Sequence, residues 1–304
     1  MSMMKVSSNP HVRSKESTSS IMILVVVALL HAIGFGIYNF GIMAAVHVLI
    51  TIAACVLTEF VFNLIIKKKQ TVSDLSAVVT GMLLGLNLPV GAPWWIGILG
   101  GFFAILVVKC LFGGLGENFM NPALGARCFL VISFPAIITN FNCDAYSGAT
   151  PLALLKNGQE VNILDMVIGR TGGTIGETSV IAIVIGACIL LATGVIDLRI
   201  PGSYIVSFVI FVVIFGGYGF NPAYIAAQLS GGGLMLGAFF MATDYVTSPM
   251  STPGALIYGF GIGLIGMMIR YFGSYPEGMS FAILLMNMAV PLLDRAFHSK
   301  KYGR

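Results

Sequence analysis

Charged side chains are the class of residue that this sequence has least of. Only 9% of its 304 residues are Asp, Glu, Lys or Arg, whereas 57% are hydrophobic. A soluble domain carries about 25% charged residues, so this chain is too apolar to cover itself with a hydrated surface. No period-two alternation runs over barrel-length segments, which leaves helices to satisfy the backbone in lipid. The composition therefore predicts an all-α polytopic membrane protein.

Several patterns that carry catalysis or ligand binding are absent as well. The sequence has no GxxxxGK[ST] phosphate loop and no His-rich cluster, and its five cysteines form no CxxC pair. A metal centre held by this chain alone is therefore not expected, and neither is a catalytic side chain. The net charge of +4 is not gathered into a run that would bind nucleic acid, so no nucleic-acid partner is expected.

Ten apolar segments remain as candidate spans. They run at about 21–39, 44–66, 74–88, 94–112, 122–138, 179–195, 200–217, 223–241, 255–270 and 279–295. A full span needs about 20 residues, yet the third segment is short and ends at Pro89. The eighth is interrupted by Gly231-Gly232-Gly233. Short or glycine-broken segments line cavities in membrane proteins more often than they face lipid.

The basic residues predict an orientation. With the N-terminus in the cytoplasm, twelve basic residues fall on the inner side, and only Lys156, Arg170 and Arg270 fall on the outer side. Arg127 is ambiguous, since it lies in the first turns of the fifth span. The first 20 residues are polar and no cleavage site follows the first apolar run, so that run is expected to be retained. Both termini are then cytoplasmic, and the polar loop 139–178 is outside.

An internal echo predicts how the spans are organised. Pro93 and Glu117 in the first half recur as Pro253 and Glu277, 160 residues later. The two matched segments run in opposite directions in the ten-span arrangement, which indicates an inverted repeat of five plus five spans. The expected organisation is a cytoplasmic segment, a first repeat, an outer loop, a second repeat and a cytoplasmic tail, at 1–20, 21–138, 139–178, 179–296 and 297–304.

Polar residues in and beside the spans are candidates for a site. Glu59 lies on the second span, where it either couples ions or reaches the membrane surface. Asn118 and Asn121 lie in one loop and Thr243 and Asp244 in another, from different halves but on the same predicted inner face. These four are either a site shared between the repeats or ordinary turn residues.

Two spans begin in the same way, with Asn121-Pro122 and with Asn221-Pro222. Asn is a good N-cap and Pro is favoured at the first helical position, so the two pairs predict well-capped helices. An alternative is that both helix N-termini face an anionic or electron-rich ligand.

The outer loop carries a specific motif. Residues 144–150, DAYSGAT, resemble the flavinylation motif D-x-x-[ST]-G-A-T. The whole chain is similar to the D subunits of the Rnf complex, the ion-translocating ferredoxin:NAD+ oxidoreductase, and to the related B subunits of the sodium-pumping NADH:quinone oxidoreductase. The matching segments are SSNPHVR (7–13), APWW (92–95), GGLGENFMNPA (113–123), SFP (133–135), SGATPL (147–152), MLGAFFMATDYVTSP (235–249) and FGSYPEGMSFAILLMNMAVPLLD (272–294).

The resemblance implies two cofactors. FMN would be joined through a phosphoester bond to Thr150, with Asp144, Ser147, Gly148 and Ala149 completing the motif. A non-covalent riboflavin is implied nearer the inner side. We place it between the loops of Asn118 and Asn121 and those of Thr243 and Asp244, and we expect Asn221 to support the FMN.

The resemblance also implies a setting and a role. The chain would pass electrons between the two flavins in a bacterial cytoplasmic membrane, in a complex with Rnf subunits A, B, C, E and G that serves ferredoxin and NAD. Electron flow would be coupled to transport of Na+ or H+. Two alternatives stay open from the residues alone, a urea-transporter-like solute channel and a purely structural anchor for redox partners.

Overall fold

The computed structural model describes residues 17–141, 150–159, 161–273 and 277–297. Within these ranges the chain is helical and has no strand. The only β-type pairing there is an isolated antiparallel bridge between Pro89 and Thr174. Asp144, Ser147, Gly148 and Ala149 of the predicted motif lie outside the described residues.

Fourteen α-helices follow one another in the described part of the chain. In order they are α1 (Thr18–Phe40), α2 (Ile42–Ile65), α3 (Ser76–Leu86), α4 (Trp94–Phe102), α5 (Pro122–Ser133), α6 (Pro135–Ile138), α7 (Pro151–Lys156), α8 (Ile163–Ile168), α9 (Val180–Ala192), α10 (Arg199–Phe215), α11 (Pro222–Ser230), α12 (Leu234–Leu236), α13 (Thr252–Phe272) and α14 (Met279–Ala296).

Each of the ten predicted spans overlaps one of these helices or a broken pair. Four helices, α1, α2, α13 and α14, are individually long and apolar enough to cross a membrane, and α11 with α12 and its continuation makes a fifth if the bent pair is one span. Five shorter apolar helices, of 10–17 residues, account for the other predicted spans. The protein is an all-α polytopic membrane protein, as its composition predicts.

The two irregular spans have the predicted form. The axes of α11 and α12 differ by 66°, and the break falls at the three glycines. Gly232 and Gly233 adopt φ values of +70° and +67°, which favour glycine. The short α3 buries ten of its eleven residues, so it packs inside the protein instead of facing lipid.

Two helices continue in a wider π-helical form. The segment Phe103–Cys110 follows α4, and Gly237–Met241 follows α12. In a π-helix each backbone N–H bonds five residues back, and such segments occur frequently at functional sites. The hydropathy of the sequence gives no sign of either segment.

The halves pack in matching ways. In the first, α4 contacts α2 through Gly97 and Gly101, whose added Cβ atoms would lie 2.9 Å from atoms of α2. In the second, Gly259 and Gly263 bring α13 against the backbone of α10. Small residues four apart allow this close approach. Across the halves, α1 packs on α9 and α5 on α14. These contacts favour the inverted repeat, which with its boundaries stays a prediction.

Two basic residues lie elsewhere than the orientation argument assumed. Lys109 and Arg270 are 1% and 3% exposed, so neither is a charge at the membrane surface. One had been counted on each predicted side, so the excess of basic residues on the predicted inner side remains. The orientation itself stays a prediction.

Candidate functional site

Thr150 begins the short helix α7. Its Oγ accepts a hydrogen bond from the backbone N–H of Ala153 at 3.4 Å, and Pro151 occupies the first helical position. This is the usual way to satisfy an N–H at a helix start. The side chain is buried, at 7% exposure. The predicted attachment residue is thus a folded N-cap and not part of an open loop.

Thr150 lines a cavity of about 30 Å³, which we call the Thr150 cavity. A cavity of that size holds one or two waters. Its walls come from both sides of the protein and include Leu152, Thr178, Gly231, Glu177 and Glu277. Two carboxylates therefore face the space beside the predicted attachment residue.

A buried arginine holds both carboxylates. Arg127 Nη1 lies 2.9 Å from Glu177 Oε1, and Nη2 lies 3.0 Å from Glu277 Oε2. The guanidinium also donates to Asn87 Oδ1 at 2.7 Å and to Ser280 Oγ at 3.0 Å. The Arg127 and Glu177 side chains are 7% and 4% exposed, and Glu277 is 13% exposed. A buried charge needs partners of this kind.

Glu277 lies between α13 and α14 and binds protons more tightly than an ordinary glutamate. Burial raises its pKa to about 7, and the neighbouring Glu177 carboxylate adds to the rise. Arg127 and Arg270 act in the opposite direction but do not cancel the effect. The carboxyl group therefore exchanges its proton near neutral pH.

Arg270 is a second buried cation near this cluster. Its guanidinium donates to the carbonyl of Gln228 at 2.5 Å, to Gln228 Oε1 at 3.0 Å and to the carbonyl of Gly231 at 2.9 Å. It also lies over the ring of Phe208, 5.0 Å from its centroid. In the described part of the chain it has no carboxylate ion pair, and its Nε has no partner.

Two larger cavities adjoin α7. One, of about 260 Å³, is lined by Leu152, Lys156, Tyr218, Tyr224, Arg270 and Tyr271. The other, of about 390 Å³, shares Tyr218 and Tyr224 with it and reaches Asn221. Leu152 borders both the first of these and the Thr150 cavity. Asn221 itself caps α11, accepting from the N–H groups of Ala223 and Tyr224 at 3.0 and 3.3 Å.

A separate cavity, the Asn118 cavity, brings the four predicted residues of the other site together. Asn118, Asn121, Thr243 and Asp244 all line it. Its enclosed volume is about 80 Å³. Both π-helical segments border it, through Lys109 on the first and through Phe239 and Phe240 on the second. The prediction that these two loops meet is thus confirmed by their shared cavity.

The four residues differ in what they can offer a ligand. Asn118 Oδ1 is buried and has no hydrogen-bond partner among the described residues, so an acceptor is free there. Asn121 is occupied: its Oδ1 accepts from Ala123 and Leu124, and its Nδ2 donates to the carbonyl of Met241 at 3.3 Å. Asn121 therefore positions the loop and caps α5, and it has no donor left for a flavin.

The other loop adds an acid and a hydroxyl. Burial raises the pKa of Asp244, against hydrogen bonds from the Thr247 side chain and the Val246 backbone. Thr243 Oγ1 donates to the carbonyl of Phe239 at 2.7 Å and keeps its ability to accept.

Glu59 does not reach the membrane surface. It is 2% exposed, and Lys109 Nζ lies 3.0 Å from both of its carboxylate oxygens. Lys109 also donates to Ser76 Oγ at 2.6 Å, and Thr71 Oγ1 donates to Glu59 at 2.6 Å. The interfacial interpretation of Glu59 is therefore wrong, and its charge is neutralised inside the protein.

The Thr150 and Asn118 cavities lie toward opposite ends of α9. Thr178, just before that helix, lines the first, and Leu190, in its last turn, lines the second. Twelve residues at 1.5 Å each separate them by roughly 18 Å along the axis. The molecule thus carries two polar cavities on the two sides of its helical core.

Sequence reasoning missed the residues that hold the charges together. The Arg127 cluster joins side chains 50 and 150 residues apart, and the Lys109–Glu59 pair spans 50. The echo that pairs Glu117 with Glu277 did single out Glu277, but it carried no partner. A buried arginine with no acid on its own helix is the one signal in the sequence that could have prompted a search for distant carboxylates.

Comparison with known proteins gives a consistent result over nearly the whole chain. A family model described as the NQR2, RnfD, RnfE family matches residues 5–303. The chain is 48% identical over 307 residues to the D subunit of the Na(+)-translocating ferredoxin:NAD(+) oxidoreductase complex of Acetobacterium woodii, covering 98% of this chain and 95% of that protein. It is 39% identical to the D subunit of the proton-translocating ferredoxin:NAD(+) oxidoreductase complex of Clostridium ljungdahlii, covering 98% and 96%. It is 34% identical to the D subunit of the ion-translocating oxidoreductase complex of Shewanella amazonensis, covering 98% of both chains.

Proposed function

The chain belongs to the NQR2, RnfD, RnfE family, and from that premise we propose that it is the membrane flavoprotein subunit of an ion-translocating ferredoxin:NAD+ oxidoreductase. It works within a multi-subunit Rnf complex, as the names of its relatives indicate. Those names give Na+ for one relative and protons for another, so the coupling ion varies within the family. The observation that carries the proposal is near-full-length similarity to D subunits, together with two polar cavities on the two sides of the core.

The first part of the proposal is that FMN is esterified to Thr150, on the predicted outer side. The hydroxyl stands at the end of the D-x-x-S-G-A-T motif and faces the Thr150 cavity. That cavity, at about 30 Å³, is too small for a flavin ring, since even a benzene ring occupies an engineered cavity of about 150 Å³. The phosphate end would lie at Thr150, and the ring would have to lie elsewhere.

The larger cavities beside α7 suit such a ring. They offer tyrosine side chains for stacking and, in Arg270, a buried cation with an unpartnered Nε. Leu152 borders both this space and the Thr150 cavity, so a short tether connects the two. A flavin held there accepts and passes on electrons, and the protein supplies its position and electrostatic surroundings.

The second part is that a riboflavin lies at the Asn118 cavity. The free acceptor on Asn118, the buried acid Asp244 and the hydroxyl of Thr243 fit the donor and acceptor groups of a flavin edge. The enclosed volume of about 80 Å³ takes part of a ring system only, so a partner subunit or a movement of the loops must supply the rest. Asn118 is the residue that would bind the cofactor, and Asn121 is its support.

One preparation of the complex, made with a flavin transferase present, tests both parts. Mass spectrometry of the peptide 142–156 should find one FMN, less one water, on Thr150, and the denatured subunit should fluoresce on a gel. Thr150→Ala should be dark, whereas Thr139→Ala, which changes an exposed threonine nearby, should fluoresce normally. A non-fluorescent wild type would overturn the covalent site.

The same preparation reports on the second flavin. Asn118→Leu should lose extractable riboflavin while keeping the fluorescence at Thr150, because it removes the free acceptor from the Asn118 cavity alone. The exposed Asn157→Leu is the control. Unchanged riboflavin content in Asn118→Leu would remove that cavity from the proposal.

A further inference from the structure

The carboxylates beside Thr150 have a geometry that the flavin proposal does not use. We propose that Glu177 and Glu277, held by Arg127, form a proton-binding site that takes up one proton when an electron reaches the flavin at Thr150. This inference rests on the proposed function, because it assumes that flavin. It assigns a role in the redox step to residues of this chain that do not themselves carry electrons.

The arrangement of charges is the first support. Two carboxylates share one guanidinium at 2.9 and 3.0 Å in a region almost closed to water. With both ionised, the trio has one negative charge more than it can pair internally. Burying an uncompensated charge is costly, and one proton on the carboxylate pair removes the excess.

The surrounding groups do not remove that tendency. Arg270 on α13 is the nearest other cation, and it is directed to the carbonyls of Gln228 and Gly231. Tyr204 on α10 donates to Met279 Sδ at 2.7 Å, and Lys156 on α7 donates to the carbonyl of Gly273 at 2.5 Å. Glu277 keeps a pKa of about 7 in the presence of these groups, because burial and Glu177 outweigh Arg127 and Arg270.

The Thr150 cavity connects the pair to the attachment point. Glu177, Glu277 and Thr150 all line a space of about 30 Å³. A phosphoester on Thr150 would add a negative charge beside the carboxylates, which favours the protonated form further. Glu277 retains 13% exposure, so it can exchange protons with water.

The charges balance in a single step. One electron, delivered by the second flavin of the proposed function, adds one negative charge near the pair. The Glu277 carboxylate then takes one proton from water on the predicted outer side and becomes a neutral carboxylic acid. When the electron leaves to a partner subunit, the proton returns to water. The coupling is electrostatic, so no bond forms between the carboxyl group and the flavin.

The midpoint potential of the Thr150 flavin, measured against pH in the purified complex, tests this proposal. The Thr150→Ala complex supplies the background of the other cofactors. Proton uptake stabilises the reduced state, so the potential falls as pH rises. A tenfold change in proton concentration corresponds to 59 mV for a one-electron couple. Between pH 6 and 8, the wild-type potential should fall more steeply than that of Glu277→Gln, by up to 59 mV per pH unit.

Two variants make the comparison specific. Glu117→Gln makes the same chemical change at an exposed position matched to Glu277 by the internal echo, and it should keep the wild-type slope. Glu277→Asp retains a carboxyl group and should keep a pH-dependent slope with a displaced midpoint. A merely structural role for Glu277 would shift the potential without changing its dependence on pH.

Infrared spectroscopy of the wild type gives a second reading that does not depend on a variant folding. The reduced-minus-oxidised spectrum should contain a protonated carboxyl band that moves in D2O. No such band, or equal slopes in wild type and Glu277→Gln, would overturn the inference while the flavin on Thr150 stands. A wild type without covalent FMN would overturn both.

Discussion

Thr150 is 7% exposed, and its hydroxyl already serves as the N-cap of α7. A transferase has to reach that hydroxyl, so the proposed modification requires α7 to be open or unformed at that moment. The ester oxygen that results can still accept from the N–H of Ala153. Flavin attachment and the folded position of Thr150 are therefore compatible, but they belong to successive states of the segment.

Glu59 and Lys109 show how a single buried pair sets its own stability rule. Each is at most 2% exposed, and they lie on different spans. Removing one partner leaves the other charge buried and unpaired, which typically costs about 3–5 kcal/mol. Replacing both with neutral side chains avoids that penalty.

We expect Glu59→Gln to lower the thermal stability of the subunit strongly, by about 3–5 kcal/mol. The double variant Glu59→Gln/Lys109→Met should be less destabilised than the sum of the two single changes. Thermal unfolding in detergent, followed by tryptophan fluorescence, measures all three. The exposed pair Arg199–Asp197 is the control, since Asp197→Asn should change stability by about 1 kcal/mol or less. Strict additivity at 59 and 109 would contradict the pairing.

At the scale of elements, the break between α11 and α12 depends on backbone freedom and on space together. Gly233 has φ of +67°, and a Cβ added there would overlap Glu177 Oε1. The glycine therefore permits both the 66° bend and the approach of the carboxylate that pairs with Arg127.

Gly233→Ala should destabilise the subunit more than Gly217→Ala does. Gly217 has a similar φ, +74°, but no atom lies within 4 Å of its added Cβ. The control therefore isolates left-handed strain, of roughly 1–2 kcal/mol, and the excess at Gly233 measures the clash with Glu177. The comparison uses the melting temperatures of the two variants in the same detergent, and equal values would show that Glu177 moves aside freely.

The elements were the part of the structure that the sequence predicted best. Hydropathy located all ten spans, because each is a continuous apolar run, and the three glycines located the break. The π-helical segments Phe103–Cys110 and Gly237–Met241 could not be predicted. A π-helix follows from one shifted hydrogen-bond register, and the apolar residues around it read the same in either form.

At the scale of the whole molecule, the buried charges connect the two predicted halves. Arg127 lies in the first, and Glu177 and Glu277 lie in or beside the second. Side chains so far apart in sequence have no shared pattern to reveal them, which is why this cluster was not predicted. The Asn118 cavity was predicted, because each of its loops is a short polar interruption between apolar runs on the same expected face.

Arg127→Met should therefore weaken the contact between the halves and not only the local packing. It leaves two buried carboxylates without their cation, at a cost typical of a broken buried pair, about 3–5 kcal/mol. Adding Glu277→Gln should recover part of that loss, since one of the two charges is then removed. The exposed Arg170→Met is the control. Detergent unfolding of the three variants gives the answer, and a loss that Glu277→Gln deepens would contradict it.

The position of Arg127 also has a consequence for how the protein is made. When α5 leaves the ribosome, Asn87 has already been synthesised, but Glu277 follows 150 residues later. At about 5–20 residues per second that interval is roughly 8–30 s. During it, the nascent chain holds a cation at membrane depth with no carboxylate to receive it. A truncated product that stops after the first five spans keeps that defect permanently, which gives the proteases of membrane quality control a mark by which to recognise an unfinished subunit.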